Sequence, residues 1–156
     1  MMGRTHLAIG ILTALIALLV LDIAHPLIFL ALVAFGALLP DVDHEGSTIN
    51  RRFPLTRWVP WFFEHRGFFH SLWPPAILCI LAAWAGALWL GLYVGVGYLS
   101  HLASDALTHM GIRPLHPFGN WRIAGPFMTG GILELGLFAL VVIADGALAA
   151  RVVGIL

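Results

Sequence analysis

The chain has no lysine and a single cysteine, and only 10% of its 156 residues are charged. Its formal net charge is zero, so nothing in the charge argues for a nucleic-acid partner. Cys79 cannot form an internal disulfide and reads as a small buried apolar residue that says nothing about redox compartment. With lysine absent, all eight cations are arginine, the residue better suited to forked contact with carboxylate or phosphate. No internal repeat or low-complexity tract stands out.

What remains is apolar. Sixty per cent hydrophobic residues lie well outside the soluble range and predict one integral-membrane domain over 1–156. The expected fold is all-α, a small bundle of four to five transmembrane helices over about 5–24, 27–39, 75–90, 91–109 and 131–149. The second stretch is only about 20 Å of helix against a hydrocarbon core of about 30 Å, so it either draws its flanks inward or falls short of crossing. Residues 72–109 would make one helix of about 57 Å, too long for one span, which predicts a turn near Gly86–Gly91 and a helical hairpin. Asp22 and Ala24 do not give a small-x-small cleavage pattern, so the first apolar run reads as retained rather than as a secretory signal.

A hairpin of the first two stretches puts the N-terminus and the loop at 40–73 on one side, and two more crossings return 111–130 to it. Arg4, Arg51, Arg52, Arg57, Arg66, Arg113 and Arg122 fall there, leaving Arg151 opposite. The positive-inside bias makes that side cytoplasmic, with the N-terminus in the cytoplasm of a multi-pass inner-membrane protein. The same folding gathers His6, Asp41, Asp43, His44, His65, His70 and His109 at the cytoplasmic edge, with Asp105 and His101 about 6 and 12 Å deeper. Trp58, Trp61, Phe62, Phe63, Phe68, Phe69 and Trp73 suit an interfacial loop that holds His65 and His70 at headgroup depth. The far side carries little beyond Asp22, His25, Asp145 and Arg151, which fits a one-sided pocket better than a transport route.

His101, Asp105 and His109 recur every four residues and are expected on one helix face, costly in hydrocarbon unless each finds a partner. Imidazole and carboxylate without thiolate suit zinc, manganese or iron. Asp41 and Asp43 follow Pro40 at a helix end, where they either aim inward or terminate the helix. His65 and His70 are five apart and converge only with help from Gly67. Two ions fit this inventory, with Asp41 or Asp105 bridging. Glu134 sits where a carboxylate favours a helix start and also where it could accept from a ligating histidine.

Taken together, Thr5-His6, Leu39-Pro40-Asp41-Val42-Asp43-His44, His65-Arg66-Gly67-Phe68-Phe69-His70-Ser71, His101-x-x-x-Asp105-x-x-Thr108-x-x-Gly111, Pro114-Leu115-x-Pro117-Phe118 and Thr129-Gly130-Gly131-x-x-Glu134 resemble the YdjM family of membrane-bound, metal-dependent-type hydrolases. The resemblance spans nearly the whole chain and extends distantly to zinc-dependent phospholipase C and P1 nuclease. It implies His6, Asp41, His65, His70, His101 and Asp105 as ligands of two or more divalent transition metal ions, zinc first and manganese second. His109 and His116 fit the motif less well. The expected reaction is hydrolysis of a phosphoester of a membrane lipid or isoprenoid-type amphiphile; co-location at the cytoplasmic edge, rather than the resemblance, assigns Asp43 or Glu134 to the water's proton and Arg66, with Arg51 or Arg52 behind it, to phosphate. The competing expectations are a non-catalytic scaffold or regulatory protein with a structural metal and, behind it, a metal or proton transporter. The apolar outer faces would suit a second copy of the chain, in a homo-oligomer, as well as lipid.

Overall fold

The computed structural model describes residues 1–155. Six α-helices form it: α1 (Gly3–Val20), α2 (Pro26–Gly36), α3 (Thr48–Arg52), α4 (Trp73–Trp84), α5 (Leu88–Ala106) and α6 (Ile132–Ile155). Single 3-10 turns interrupt the connections, among them Leu39–Asp43 and Phe68–His70. Prolines mark the starts: Pro26 opens α2, and Pro74 and Pro75 lie in the first turn of α4, where a missing N–H costs no helix bond.

Among the described residues, three stretches are long and apolar enough to cross a membrane: Gly3–Val20, Pro26–Asp43 and Ile132–Gly154. The second combines the short α2 with the Leu39–Asp43 turn, so it gains length by drawing in its C-terminal flank. The hairpin forms at Gly86, whose φ of +71° suits glycine, and α4 has 12 residues, about 18 Å of helix and short of a full span. Helix α5 has 19 residues, about 28 Å, apolar at its start and polar in its last turns.

Helix α5 packs on α4, α2 and α1, and α1 in turn packs on α6 and α2. Ala14, Phe29 and Val33 form one apolar core, and Tyr98, Leu102 and Ile112 another. The α2–α5 crossing is backbone against backbone. A Cβ on Gly97 would lie 2.0 Å from the Val33 carbonyl oxygen, and one on Gly36 would lie 2.2 Å from that of Val94. Small residues at such crossings let membrane helices approach closely. This contact brings the end of α2 to the polar end of α5. The starts of α1 and α6 meet there too, and so do both 3-10 turns. The segment after α5 is held by two isolated bridges, Thr108 to Phe127 and Ile112 to Ile123.

Gly97→Ala is therefore expected to destabilise the fold by about 1–3 kcal/mol or more, because backbone cannot retreat as a side chain can. Thermal unfolding in detergent measures it, and an unchanged midpoint would contradict the close crossing.

Candidate metal centre

The last turns of α5 carry the site. His101, Ser104 and Asp105 are buried on one face, and the four-residue spacing of His101 and Asp105 stacks them. The stack ends there: α5 stops at Ala106, so His109 lies beyond it, exposed, with its N–H bonded to the Phe127 carbonyl. The expectation of a third group on that face is corrected by the helix end.

Hydrogen bonds fix the orientation of three buried imidazoles. His101 Nδ1 lies 2.8 Å from the Ala37 carbonyl oxygen, which only accepts, so Nδ1 carries the proton. The Ser104 hydroxyl donates to the His101 carbonyl at 2.8 Å, so it accepts from His6 Nδ1, also at 2.8 Å. His70 Nδ1 donates to Asp43 Oδ2 at 3.1 Å. In its neutral form each ring therefore turns an Nε2 lone pair inward. His70 Nε2 and His101 Nε2 face each other at 3.4 Å, and the His6 and His101 rings stack with centroids 3.6 Å apart. Asp105 meets all three, with Oδ1 3.4 Å from His6 Nε2 and Oδ2 3.4 Å from His70 Nε2 and 3.7 Å from His101 Nε2. Asp41 Oδ1 closes the group at 3.9 Å from His70 Nε2 and 3.7 Å from His101 Nε2.

Asp43 is the pivot of the second ring of contacts. It accepts from His65 Nδ1 at 2.8 Å, from His70 Nδ1 and from the Arg66 backbone N–H at 3.0 Å. His65 and His70 converge on it because the intervening backbone turns at Arg66, at φ +60°, a region uncommon for a residue with a side chain. Gly67 contributes room, since a Cβ there would lie 2.9 Å from the Glu64 carbonyl. Arg66 and Gly67 share the reversal, for Gly67 stands at φ −89° and ψ −121°, so the help expected of the glycine is present beside the turn at Arg66. The guanidinium of Arg66 is buried and largely committed, bonding Asp105 Oδ1, Thr108 Oγ1 and the Gly111 carbonyl, each at 3.0 Å. The amino group of Met1 also bonds Asp105 Oδ1.

All six residues expected as ligands, His6, Asp41, His65, His70, His101 and Asp105, thus lie in one connected cluster with Asp43. Their side chains form three overlapping groups that could hold an ion: His6, His101 and Asp105; Asp41, His70 and His101; Asp43, His65 and His70. Glu134 stands elsewhere. Its buried carboxylate accepts from the Met2 N–H (2.6 Å), the Thr5 hydroxyl (2.8 Å) and the Gly130 N–H (2.7 Å), tying together the starts of α1 and α6. His44 is exposed and packs on the edge of the His65 ring, while His116 lies beneath Gly67. His25 sits against Trp89 at the other end of the bundle. Sequence reasoning missed Ser104 and the Ala37 carbonyl. Ser104 follows His101 by three, a spacing that shares its face; a carbonyl has no sequence signal.

The donor set fits a divalent metal. His6 Nε2 is buried without a hydrogen-bond partner, and two lone pairs 3.4 Å apart need a proton or a cation between them. Each of the three rings also has the acceptor on its far nitrogen that metal-bound histidines characteristically have. Burial works to push His70 down, but the carboxylates of Asp105 and Asp43 outweigh it and hold the imidazolium up at about 9. A pocket of about 610 Å³ reaches the cluster at Asp41 and His65, with Arg51 and Arg66 also on its wall.

Fold and site together define a small helical membrane protein with a buried, one-sided histidine–aspartate cluster. The chain belongs to the family described as YdjM inner membrane protein, which it matches over residues 1–156. It is 36% identical over 119 residues to YvsG of Bacillus subtilis (strain 168), covering 75% of this chain and 74% of that protein. It is 34% identical over 101 residues to the inner membrane protein YdjM of Escherichia coli (strain K12) and, with the same figures, to that of Shigella flexneri; these matches cover 59% of this chain and 50% of each relative. No solved structure matches the chain.

In metal-free protein, His70 should stay protonated at neutral pH and titrate near 9, as read by imidazole NMR. Because its value is raised above 6.5, its ion pairs stabilise the fold fully below about 6.5 and that contribution is lost as pH rises through about 9. Asp43→Asn should move the titration down; a His70 titrating at its ordinary value in the wild type would contradict the bonding described.

Proposed function

We propose that this protein is a metal-dependent hydrolase of the inner membrane that cleaves a phosphoester of a lipid or isoprenoid-type amphiphile at the cytoplasmic interface. The observation that carries the reading is the convergence of three imidazole Nε2 atoms, their Nδ1 partners fixed, around Asp105 inside an otherwise apolar bundle. Hydrocarbon surroundings make such a group costly unless it has a function or a compensating ion. His6, His70, His101 and Asp105 would hold one divalent transition metal ion, zinc first and manganese second, and Asp41 with His65 would serve a second at the pocket side. Such ions supply a water acidic enough to lose a proton near neutral pH, and they stabilise oxygens that gain charge.

The chain's own residues have separable tasks. Asp43 orients His65 and His70 by holding both Nδ1 atoms. Arg66 pins Asp105 from behind, which leaves Arg51, on the pocket wall, as the cation for a nonbridging phosphate oxygen. Asp41, 17% exposed at the mouth, would hold the second ion through one oxygen and leave the other to orient the attacking water. An apolar cavity of about 650 Å³ supports an amphiphile over a soluble ester. Leu39, Val42, Phe68, Phe69, Ile77 and Tyr98 are among its walls, so it backs directly onto the two turns that carry Asp41, Asp43 and His70. The opening at Asp41 and His65 favours an enzyme over a scaffold, because a structural metal site is coordinatively closed. Seven arginines flanking the site's end of the bundle favour a cytoplasmic orientation.

Elemental analysis of purified protein should find at least one transition metal ion per chain, lost in His101→Ala and Asp105→Ala variants that still fold and insert. Wild type without stoichiometric metal would sink the reading. Asp43→Asn should lower metal affinity or phosphate release from an alkyl phosphate by about 10–100-fold, the range for residues that orient ligands.

A further inference from the structure

Beside the cluster, and sharing His65, Arg66 and Met110 with its mouth, lies a second pocket of about 340 Å³. Its remaining walls include Glu64, Arg113 and Arg122. The backbone brings the two arginines together. Ile112 and Ile123 exchange both of their backbone hydrogen bonds, at 2.9 and 3.0 Å, in an antiparallel bridge. Arg113 follows one residue of that bridge and Arg122 precedes the other, so both cations arise within one residue of it and line the same pocket. Like charges gathered in one pocket repel unless an anion offsets them. Buried Ile112 lines the same pocket beside the two arginines and gives it an apolar floor.

Little protein charge offsets the pair. Arg113 reaches Glu64 at 3.2 Å, but Glu64 is 71% exposed, and an exposed ion pair of this kind contributes little. Arg122 is steadied from behind by the His109 carbonyl, which carries no charge. Arg66, on the shared wall, is more than nine-tenths buried and leaves its Nε without a partner. Two guanidiniums lining one pocket, with a single weakly paired carboxylate to offset them, match an anion with several acceptor oxygens.

We propose that this pocket is a second anion subsite, which takes one phosphate group of a diphosphate while the other lies at the Asp41–His65 mouth. The subsite rests on the hydrolase reading for what happens at that mouth, and it makes Arg113 and Arg122 determinants of specificity for diphosphates over monophosphates. Neither is a catalytic residue. The diphosphate is either free inorganic pyrophosphate or the head of a membrane amphiphile.

Binding of dodecyl diphosphate, dodecyl monophosphate and inorganic pyrophosphate to the full chain in detergent separates the possibilities by calorimetry. Wild type should bind dodecyl diphosphate at least about tenfold more tightly than the monophosphate, the worth of one charge-assisted contact. Arg113→Gln with Arg122→Gln should bring that ratio to within about twofold at unchanged monophosphate affinity and metal content, and the Arg113→Lys, Arg122→Lys pair should restore part of it. Pyrophosphate as tight as the alkyl diphosphate assigns the subsite to a soluble ligand; a much weaker pyrophosphate assigns it to a lipid head. A wild type without preference, or a glutamine pair that keeps it, overturns the subsite even if dodecyl monophosphate is hydrolysed. A preference that follows the arginines while no ester is hydrolysed upholds the subsite and sinks the hydrolase reading.

Discussion

Three imidazoles held by their Nδ1 atoms are the constraint on which the rest of the structure depends. The Ala37 carbonyl just past α2, a hydroxyl of α5 and a carboxylate of the Leu39–Asp43 turn each take one Nδ1 proton, from His101, His6 and His70 respectively. The three Nε2 atoms then have no choice but to face Asp105 and one another. In water such an arrangement would relax by rotating the rings toward solvent. Here burial and the second bond forbid it, and the cluster stores a strong preference for positive charge at its centre.

The bundle is arranged to keep those bonds. The glycine crossing of α2 and α5 puts the Ala37 carbonyl within reach of His101. Glu134 fixes the start of α1, and with it His6, against the start of α6. Arg66 ties the turn after His65 to Asp105, Thr108 and Gly111, so the loop and the end of α5 move as one body. Apolar packing supplies the walls, and a few polar cross-links between distant segments supply the precision. The polar pocket and the apolar cavity then lie on two sides of the same short turns, so one small chain presents a charged opening and an apolar one close together.

Much of this was legible in the sequence for a simple reason: hydrocarbon tolerates few charges, so every polar side chain in an apolar run is informative. The spacing of His101 and Asp105, the hairpin turn at Gly86, and the gathering of His6, Asp41, His65 and His70 at one end all follow from span lengths and polarity. What could not be read was division of labour. Asp41 and Asp43 are two residues apart and look equivalent, yet the turn sends one toward the Nε2 atoms and the other toward two Nδ1 atoms. Glu134 had two readings, and its bonds go to helix starts. Arg66 carries both a backbone reversal and a buried ion pair, neither of which has a sequence signature. His109 failed to join its helical neighbours because the helix ended three residues earlier, and boundaries are where pattern carries least.

The most direct measurement of the central claim is X-ray absorption of the protein after zinc loading and removal of free metal. Fixed, inward-facing Nε2 atoms require a first shell of nitrogen and oxygen at about 2.0–2.1 Å with scattering from more than one imidazole per zinc and no sulfur. A shell of oxygen alone, as for a hydrated ion held at the surface, would contradict it.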